Sequence, residues 1–161
     1  MTLVSCAIGL GSNLGDPAVQ LDAAVERLAA HPQVALEQVS SYYRSAPQGD
    51  VEQPDYVNAC AVIRTALPPH DLLDVLQCIE RELGKIKRGH WQAREIDLDL
   101  LTYGTAVIQS ERLTVPHPWL HRRDFVLVPL AEIAPDLQVP GHGRVADLLA
   151  QLPDHFILER L

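Results

Sequence analysis

The chain has 161 residues, of which 47% are hydrophobic and 21% charged, and its formal net charge is −8. This length and hydrophobic content predict one globular domain over residues 1–161. The acidic balance argues against nonspecific nucleic-acid binding, which requires a broad basic surface, and no apolar run is long enough to cross a membrane.

The hydrophobic pattern predicts the order of strands and helices along the chain. Residues 3–10 form an apolar strand, and the first helix begins where Asp16 can cap it and Pro17 can take its first position. Pro68 and Pro69 introduce a second helix, and Gly84 fits its C-terminal cap. The other predicted elements are strands at 34–44, 57–65 and around 97–99, and helices near 124–133 and 145–152. This order is that of a ferredoxin-like α+β domain, a βαββαβ core with C-terminal helical additions.

The first predicted strand runs into Gly9-Leu10-Gly11-Ser12-Asn13-Leu14-Gly15, which lies between a strand and a helix as a dinucleotide-binding fingerprint would. However, the glycine spacing is G-x-G-x-x-x-G instead of G-x-G-x-x-G, and alternating β and α units do not continue. We therefore interpret the segment as a tight turn that lets the helix pack close to the first strand.

The most informative part of the chain is the segment that contains Asp97 and Asp99. Ile96, Leu98 and Leu100 alternate with polar residues, which predicts a strand with one buried face. The two carboxylates then point from the same face, roughly 7 Å apart at about 3.3 Å of rise per residue. Such a pair either forms a solvated polar face on an edge strand or binds a cation, and oxygen ligands from one strand suit Mg²⁺.

Residues 81–94, just before this strand, contain five lysines and arginines and one acidic residue. Positive charge beside a carboxylate pair is the arrangement that a polyphosphate requires, because a metal bridges some phosphate oxygens and the basic side chains neutralise the others. The alternative is an exposed loop whose charges bind no ligand.

Three further features are candidates for a binding site. Gln77 and Glu80 lie on one face of the second helix, although a solvated helix face is the simpler explanation for both. Tyr56 and Asn58 follow a long polar loop and alternate onto one face of a strand, where they could stack on and hydrogen-bond a flat heteroaromatic ligand. His117 lies between two prolines, which hold its imidazole rigidly.

These motifs together resemble the 6-hydroxymethyl-7,8-dihydropterin pyrophosphokinase family. The similarity runs nearly end to end, in order and with compatible spacing, and is carried by segments 9–15, 43–45, 53–58, 79–80, 94–99 and 115–118. It implies a ferredoxin-like fold and transfer of pyrophosphate from ATP to the hydroxymethyl oxygen of the pterin, with release of AMP, in folate biosynthesis. It also implies two Mg²⁺ ions held by Asp97 and Asp99.

The resemblance further implies which residues contact each substrate. Those expected at the pterin are Ser45, Ala46, Tyr56, Asn58, Trp91 and Phe125. Those expected at ATP are Gln77, Lys85, Lys87, Arg94, Arg112, Thr114, His117 and Arg123. The residues expected to carry the catalysis are Lys87, Arg94, Asp97 and Asp99, with Trp91 closing over the site.

The basic segment departs from the family pattern, which is commonly Arg-x-Arg followed by Arg-Trp-Gly-Pro-Arg. Here the corresponding residues are Lys85-Ile86-Lys87 and His90-Trp91-Gln92-Ala93-Arg94. Lysine cannot form the two-pronged contact that arginine makes with phosphate. The roles of the two lysines and the closing motion of this loop are therefore where the chain can differ from its family.

Two other classes of protein are compatible with a ferredoxin-like fold: a regulatory domain that binds a small ligand without catalysis, and an RNA-binding domain. The first gives no reason for a D-x-D pair beside a basic segment, and the second should present a basic face. The three cysteines are odd in number and widely spaced, and the N-terminus lacks the basic start of a signal peptide. We therefore expect buried thiols in a cytoplasmic monomer without nucleic-acid or membrane partners.

Overall fold

The computed structural model describes residues 2–47, 54–84, 96–153 and 155–161. The strands within these ranges are β1 Val4–Ser12, β2 Val34–Val39, β3 Tyr43–Ser45, β4 Tyr56–Thr65, β5 Asp97–Tyr103, β6 Ile108–Gln109, β7 Thr114–Val115, β8 Gln138–Val139, β9 Gly143–Arg144 and β10 Ile157–Arg160. The helices are α1 Pro17–Ala30, α2 Pro69–Glu82, α3 Asp124–Ile133 and α4 Val145–Ala150, with a short 3₁₀ helix at Leu120–Arg122. Among the described helices, none is long and apolar enough to span a membrane.

Six of the strands form one antiparallel sheet. Its order is β10-β3-β4-β1-β5, and β2 also pairs with β4. β1 therefore lies between β4 and β5, and β5 is an edge strand of the sheet that the described residues form. The hairpins β6–β7 and β8–β9 lie outside this sheet. The arrangement confirms the predicted α+β fold with a ferredoxin-like core.

The sheet separates two hydrophobic cores. Ile8 of β1 and Leu98 of β5 belong to the core under α1 and α2. Leu101 of β5 belongs to the second core, with Leu127 of α3. Because side chains alternate along a strand, Asp99 points to the same side as Leu101, toward α3.

The predicted helix starts are confirmed. Asp16 accepts a hydrogen bond from the backbone N–H of Val19, and Pro17 is the first residue of α1. Pro69 likewise begins α2, and Gly84 follows its end with a φ of 100°, a left-handed conformation that glycine adopts readily. Helices α3 and α4 also begin where the hydrophobic pattern placed them.

The single strand predicted at 34–44 is wrong, because the chain breaks there into β2 and β3. At the break, the Ser40 hydroxyl accepts the backbone N–H of Cys60 at 2.9 Å, in place of a backbone carbonyl. The N–H of Ser41 donates to the Glu132 carboxylate of α3 at 2.9 Å. Short polar side chains that bond the backbone locally compete with strand pairing in this way.

The glycine-rich segment is also corrected. Gly9 and Gly11 lie inside β1, which continues to Ser12, and the turn into α1 comes after them. Gly15 lies in that turn with a φ of 68°. The tight-turn interpretation therefore fits Gly15 but is wrong for the first two glycines.

The expectation of three buried thiols holds for two of the cysteines. Cys6 and Cys60 are buried, and burial raises the pKa of the Cys6 thiol to about 12. Cys78 is exposed, and its thiol donates to the Glu82 carboxylate one turn further along α2. All three are free thiols.

Candidate active site

A pocket of about 310 Å³ opens on the face of the sheet that carries α3. This volume is within the range of small-molecule sites. The pocket lies over β1, β4 and β5, and the segment after β7 and the start of α3 close its side. Its lining residues are Gly9, Leu10, Gly11, Ser45, Ala46, Tyr56, Asn58, Ala59, Asp97, Asp99, Leu101, His117, Arg123, Phe125 and Val126.

The floor of the pocket is formed by the glycines of β1. Gly11 lies opposite Asn58 of β4 on one side and Asp97 of β5 on the other, and Gly9 lies opposite Asp99. Residues directly opposed in a sheet point to the same face, so Asn58 and Asp97 flank a position without a side chain. A Cβ atom at Gly11 would lie only 2.9 Å from Asn58 Nδ2. The open floor therefore depends on glycine.

One wall of the pocket combines aromatic surface with an oriented amide. Asn58 is buried, and the Ser45 hydroxyl donates to its Oδ1 at 2.6 Å. Because this bond engages the amide oxygen, the amide presents its Nδ2 hydrogens as donors. Tyr56, at the start of β4, and Phe125, in the first turn of α3, line the same pocket. We call this side of the pocket, with Ser45, Ala46 and Asn58, the amide wall.

The opposite wall carries the two carboxylates that the strand pattern predicted. Asp97 is half-buried and Asp99 is exposed, and both line the pocket. Burial, and then the negative charge of Asp99, raises the pKa of the Cys60 thiol on β4. The sheet therefore holds a carboxylate wall, formed by Asp97 and Asp99, across the glycine floor from the amide wall.

A buried glutamate fixes the strand that carries these carboxylates. Glu80 of α2 is 6% exposed, and its Oε2 accepts the backbone N–H of Leu98 at 2.8 Å. The solvated helix face that the sequence suggested is wrong for this residue. Because β5 is an edge strand, its outward N–H groups need acceptors from another element, and Glu80 supplies one between Asp97 and Asp99.

The segment after β7 and the residue before α3 supply a histidine and an arginine. The backbone N–H of His117 donates to Leu101 O at 2.9 Å, and its Nδ1 accepts the N–H of Trp119 at 3.2 Å. The neutral ring then carries its proton on Nε2, as a donor. Burial, and then the charge of Arg123, lowers the pKa of His117. The imidazole is therefore mostly neutral at pH 7.

Three residues that the resemblance assigns to ATP are not among the described residues that line this pocket. Arg112 donates to Asp74 Oδ1 at 2.5 Å and to Gln77 Oε1 at 3.2 Å, so it joins Gln77 on α2. Thr114 is exposed in β7. The pocket thus brings together five of the six residues expected at the pterin, all but Trp91, with His117 and Arg123 of the set expected at ATP.

The remaining predicted residues are Lys85, Lys87, Trp91 and Arg94, and all four lie outside the described residues. Their assigned roles stay predictions.

Sequence reasoning missed the part that glycine plays in this pocket. The available signal was the pair Gly9 and Gly11, two positions apart and so on one face of a strand. Glycine weakens the interior of a strand and often marks a close approach by another group. Two such positions on one face indicate a surface kept open.

A family model described as 7,8-dihydro-6-hydroxymethylpterin-pyrophosphokinase matches residues 7–135 of the chain. Two curated relatives are each named 2-amino-4-hydroxy-6-hydroxymethyldihydropteridine pyrophosphokinase. The one from Haemophilus influenzae is 46% identical over 157 residues, which is 98% of this chain and 98% of the relative. The one from Methylorubrum extorquens is 48% identical over 145 residues, or 90% of this chain and 91% of the relative.

The fold is similar to that of a solved structure of Plasmodium falciparum HPPK-DHPS, wild type with SDX-DHP. That match has a TM-score of 0.74 at 14% sequence identity and covers 93% of this chain. The chain spans 44% of the length of the Plasmodium protein. At this identity the likeness supports the fold alone.

Proposed function

The chain belongs to the 7,8-dihydro-6-hydroxymethylpterin-pyrophosphokinase family, and from that premise we infer that its two substrates meet in the pocket over β1. The enzyme transfers pyrophosphate from ATP to 6-hydroxymethyl-7,8-dihydropterin in folate biosynthesis. The observation that carries the inference is the pairing of an aromatic and amide wall with a carboxylate wall across one glycine floor.

We assign the pterin to the amide wall. Tyr56 and Phe125 offer aromatic surface for a flat ring. The Asn58 amide, oriented by Ser45, donates from Nδ2 to an acceptor on the ring edge. Ala46 lies beside them at the end of β3.

We assign the triphosphate of ATP to the carboxylate wall and its surroundings. His117 donates from Nε2 and Arg123 adds a positive charge, and both line the pocket. In their predicted roles, three basic residues would add positive charge at the phosphates, namely Lys85, Lys87 and Arg94. Trp91 would close over the site. The rest of the nucleotide would extend beyond the described lining of the pocket. There it would meet the other residues predicted to contact ATP, which are Gln77, Arg112 and Thr114.

Asp97 and Asp99 are the proposed ligands of two Mg²⁺ ions. The described residues contain no group of three or more His, Cys, Asp or Glu side chains that could hold a metal by themselves. Two carboxylates facing a pocket fit Mg²⁺, which takes one or two protein carboxylates and completes its shell with water and phosphate oxygens. Bound there, the ions would neutralise phosphate charge and lower the pKa of the attacking alcohol.

The chemistry then requires alignment more than a strong base. The pterin hydroxymethyl oxygen forms a bond to the β-phosphorus of ATP and loses its proton to solvent. The bond from that phosphorus to the α,β-bridging oxygen breaks, and AMP leaves with the electron pair. Protein groups contribute mainly by orienting the two substrates and stabilising charge. Here the amide wall orients the acceptor, and His117 and Arg123 lie where the phosphate charge develops.

We further propose that residues 1–161 form one domain that acts as a monomer in the cytoplasm. The three free thiols are consistent with a reducing compartment. The described lining of the pocket comes from β1, β3, β4, β5, α3 and the segments next to β3, β7 and α3, so a single chain supplies both walls.

The pterin assignment predicts a selective loss of binding. Tyr56→Ala and Asn58→Ala should each weaken pterin affinity about tenfold, by loss of stacking and of an oriented donor. Binding of a non-hydrolysable ATP analogue should change little. Calorimetry with each ligand separately is the measurement, and Tyr56→Phe is the matched control because it keeps the ring. An equal loss for both ligands would place the pterin elsewhere.

A second prediction concerns the protonation of His117. Its lowered pKa should appear in an NMR titration of the ligand-free protein as a value below the ordinary 6.5. Because the pKa of His117 is lower in the folded than in the unfolded protein, its contribution to the free energy of unfolding depends on pH. That contribution is complete above the unfolded-state pKa and is lost as pH falls through the folded-state pKa. A bound ATP analogue should raise the pKa, since phosphate oxygens favour the charged ring. An unchanged pKa in that complex would remove His117 from the phosphate site.

A further inference from the structure

The strand β10 lies at the edge of the sheet next to β3, which carries part of the pocket lining. It pairs with β3, so that Ile157 lies opposite Ser45. Just before β10, Phe156 O accepts the backbone N–H of Ala46 at 2.8 Å. Ser45 and Ala46 line the pocket, so the segment that leads into β10 holds the end of β3 in place.

The same segment is joined to the start of α3. Asp124, the first residue of α3, is buried, and its Oδ2 accepts the N–H of Phe156 at 2.7 Å and that of Ile157 at 3.0 Å. The Phe156 ring meets the Phe125 ring edge-on, with centroids 6.5 Å apart and planes at 82°. Phe125 lines the pocket, whereas Phe156 is not among its described lining residues. Phe156 therefore contacts a lining residue of the pocket without lining the pocket itself.

We propose that Phe156 and Asp124 are positioning residues that set the width of the pterin end of the pocket. The inference rests on the proposed function of this pocket. Phe156 bonds to the end of β3 through its backbone O and packs on the start of α3 through its ring, so it fixes these two parts of the amide wall relative to each other. A flat ring binds well only when the residues on its two sides are correctly spaced. A displacement of those residues by about 0.5 Å is enough to degrade a preorganised site.

The proposal predicts a rise in KM for one substrate only. Phe156→Ala should raise the KM for the pterin about tenfold, because an edge-to-face contact and the wall position are lost together. Both kcat and the KM for ATP should stay within about twofold, because the carboxylate wall is untouched. Phe156→Leu keeps most of the bulk and the fold, and should show a smaller rise. Leu158→Ala, an exposed neighbour in β10, is the control.

Asp124 offers a test by conservative rescue. Asp124→Asn keeps a carbonyl oxygen that can accept both N–H groups, so its pterin KM should stay close to that of the unsubstituted enzyme. Asp124→Ala removes the acceptor and should behave like Phe156→Ala. Equal effects of Asn and Ala at this position would contradict the positioning role.

A double-variant cycle separates positioning from a general loss of stability. In a Phe125→Ala background, Phe156→Ala should add little, because the two rings act in series. Additive effects, or equal rises in the KM of both substrates, would overturn the inference. An unchanged pterin KM for Phe125→Ala alone would instead overturn the assignment of the pocket. A raised pterin KM for Phe125→Ala with an unchanged one for Phe156→Ala would overturn only the inference.

Discussion

Alanine at Asp97 or at Asp99 is expected to lower turnover by about 10³-fold or more, since a lost metal contact is worth several kcal/mol and each 1.36 kcal/mol is tenfold in rate. Each substitution removes one of the two carboxylates proposed to hold Mg²⁺. Both side chains project into the pocket and not into a core, so the protein should still fold. Pterin binding without nucleotide should persist. Release of AMP from ATP, followed in steady state at saturating Mg²⁺, is the measurement.

The controls test whether charge at this position matters. Asp97→Asn keeps the shape of the side chain and removes its charge, so it should lose nearly as much activity as alanine. Asp136→Ala removes a carboxylate that is 83% exposed, paired with Arg144 and not among the described lining residues of the pocket, and should leave the rate unchanged. Near-normal rates for either Asp97 or Asp99 variant at ordinary Mg²⁺ would rule out the proposed metal site.

The parts of this fold that could be predicted from the sequence are those with local signals. Asp16 and Pro17 mark the start of α1 by their own chemistry, and Gly84 follows α2 for the same reason. The common face of Asp97 and Asp99 follows from alternation along one strand. None of these inferences depends on knowing which strands become neighbours.

The parts that could not be predicted depend on pairing between distant segments. Gly11 becomes a pocket floor only because β4 and β5 flank β1 and place Asn58 and Asp97 on either side. Glu80 becomes buried only because β5 is an edge strand that lies against α2. The short strand β10 exists through its pairing with β3, and its own residues carry a weak pattern. Tertiary context overrides local propensity at such positions.

The floor of the pocket gives the second large effect. Gly11→Val should lower pterin affinity roughly 100-fold, because the new side chain displaces a buried amide and such losses are worth about 1–3 kcal/mol before any filling of the pocket. Its Cβ would lie 2.9 Å from Asn58 Nδ2, and the Ser45 bond at 2.6 Å restrains that amide. Valine suits a strand better than glycine, so the fold should persist. Calorimetry with the pterin and a thermal melt measure the two quantities.

A smaller substitution tests whether the effect passes through Asn58. Gly11→Ala should weaken pterin binding in the natural background but add little when Asn58 is already alanine, because the atom that the new Cβ would meet is then absent. Gly9→Ala is the matched comparison, since its Cβ would meet the Leu101 side chain at an ordinary 3.5 Å. We expect a smaller loss there. If Gly11→Ala costs as much in the Asn58→Ala background, or if Gly9→Ala costs as much as Gly11→Ala, the open floor does not act by leaving room for the Asn58 amide.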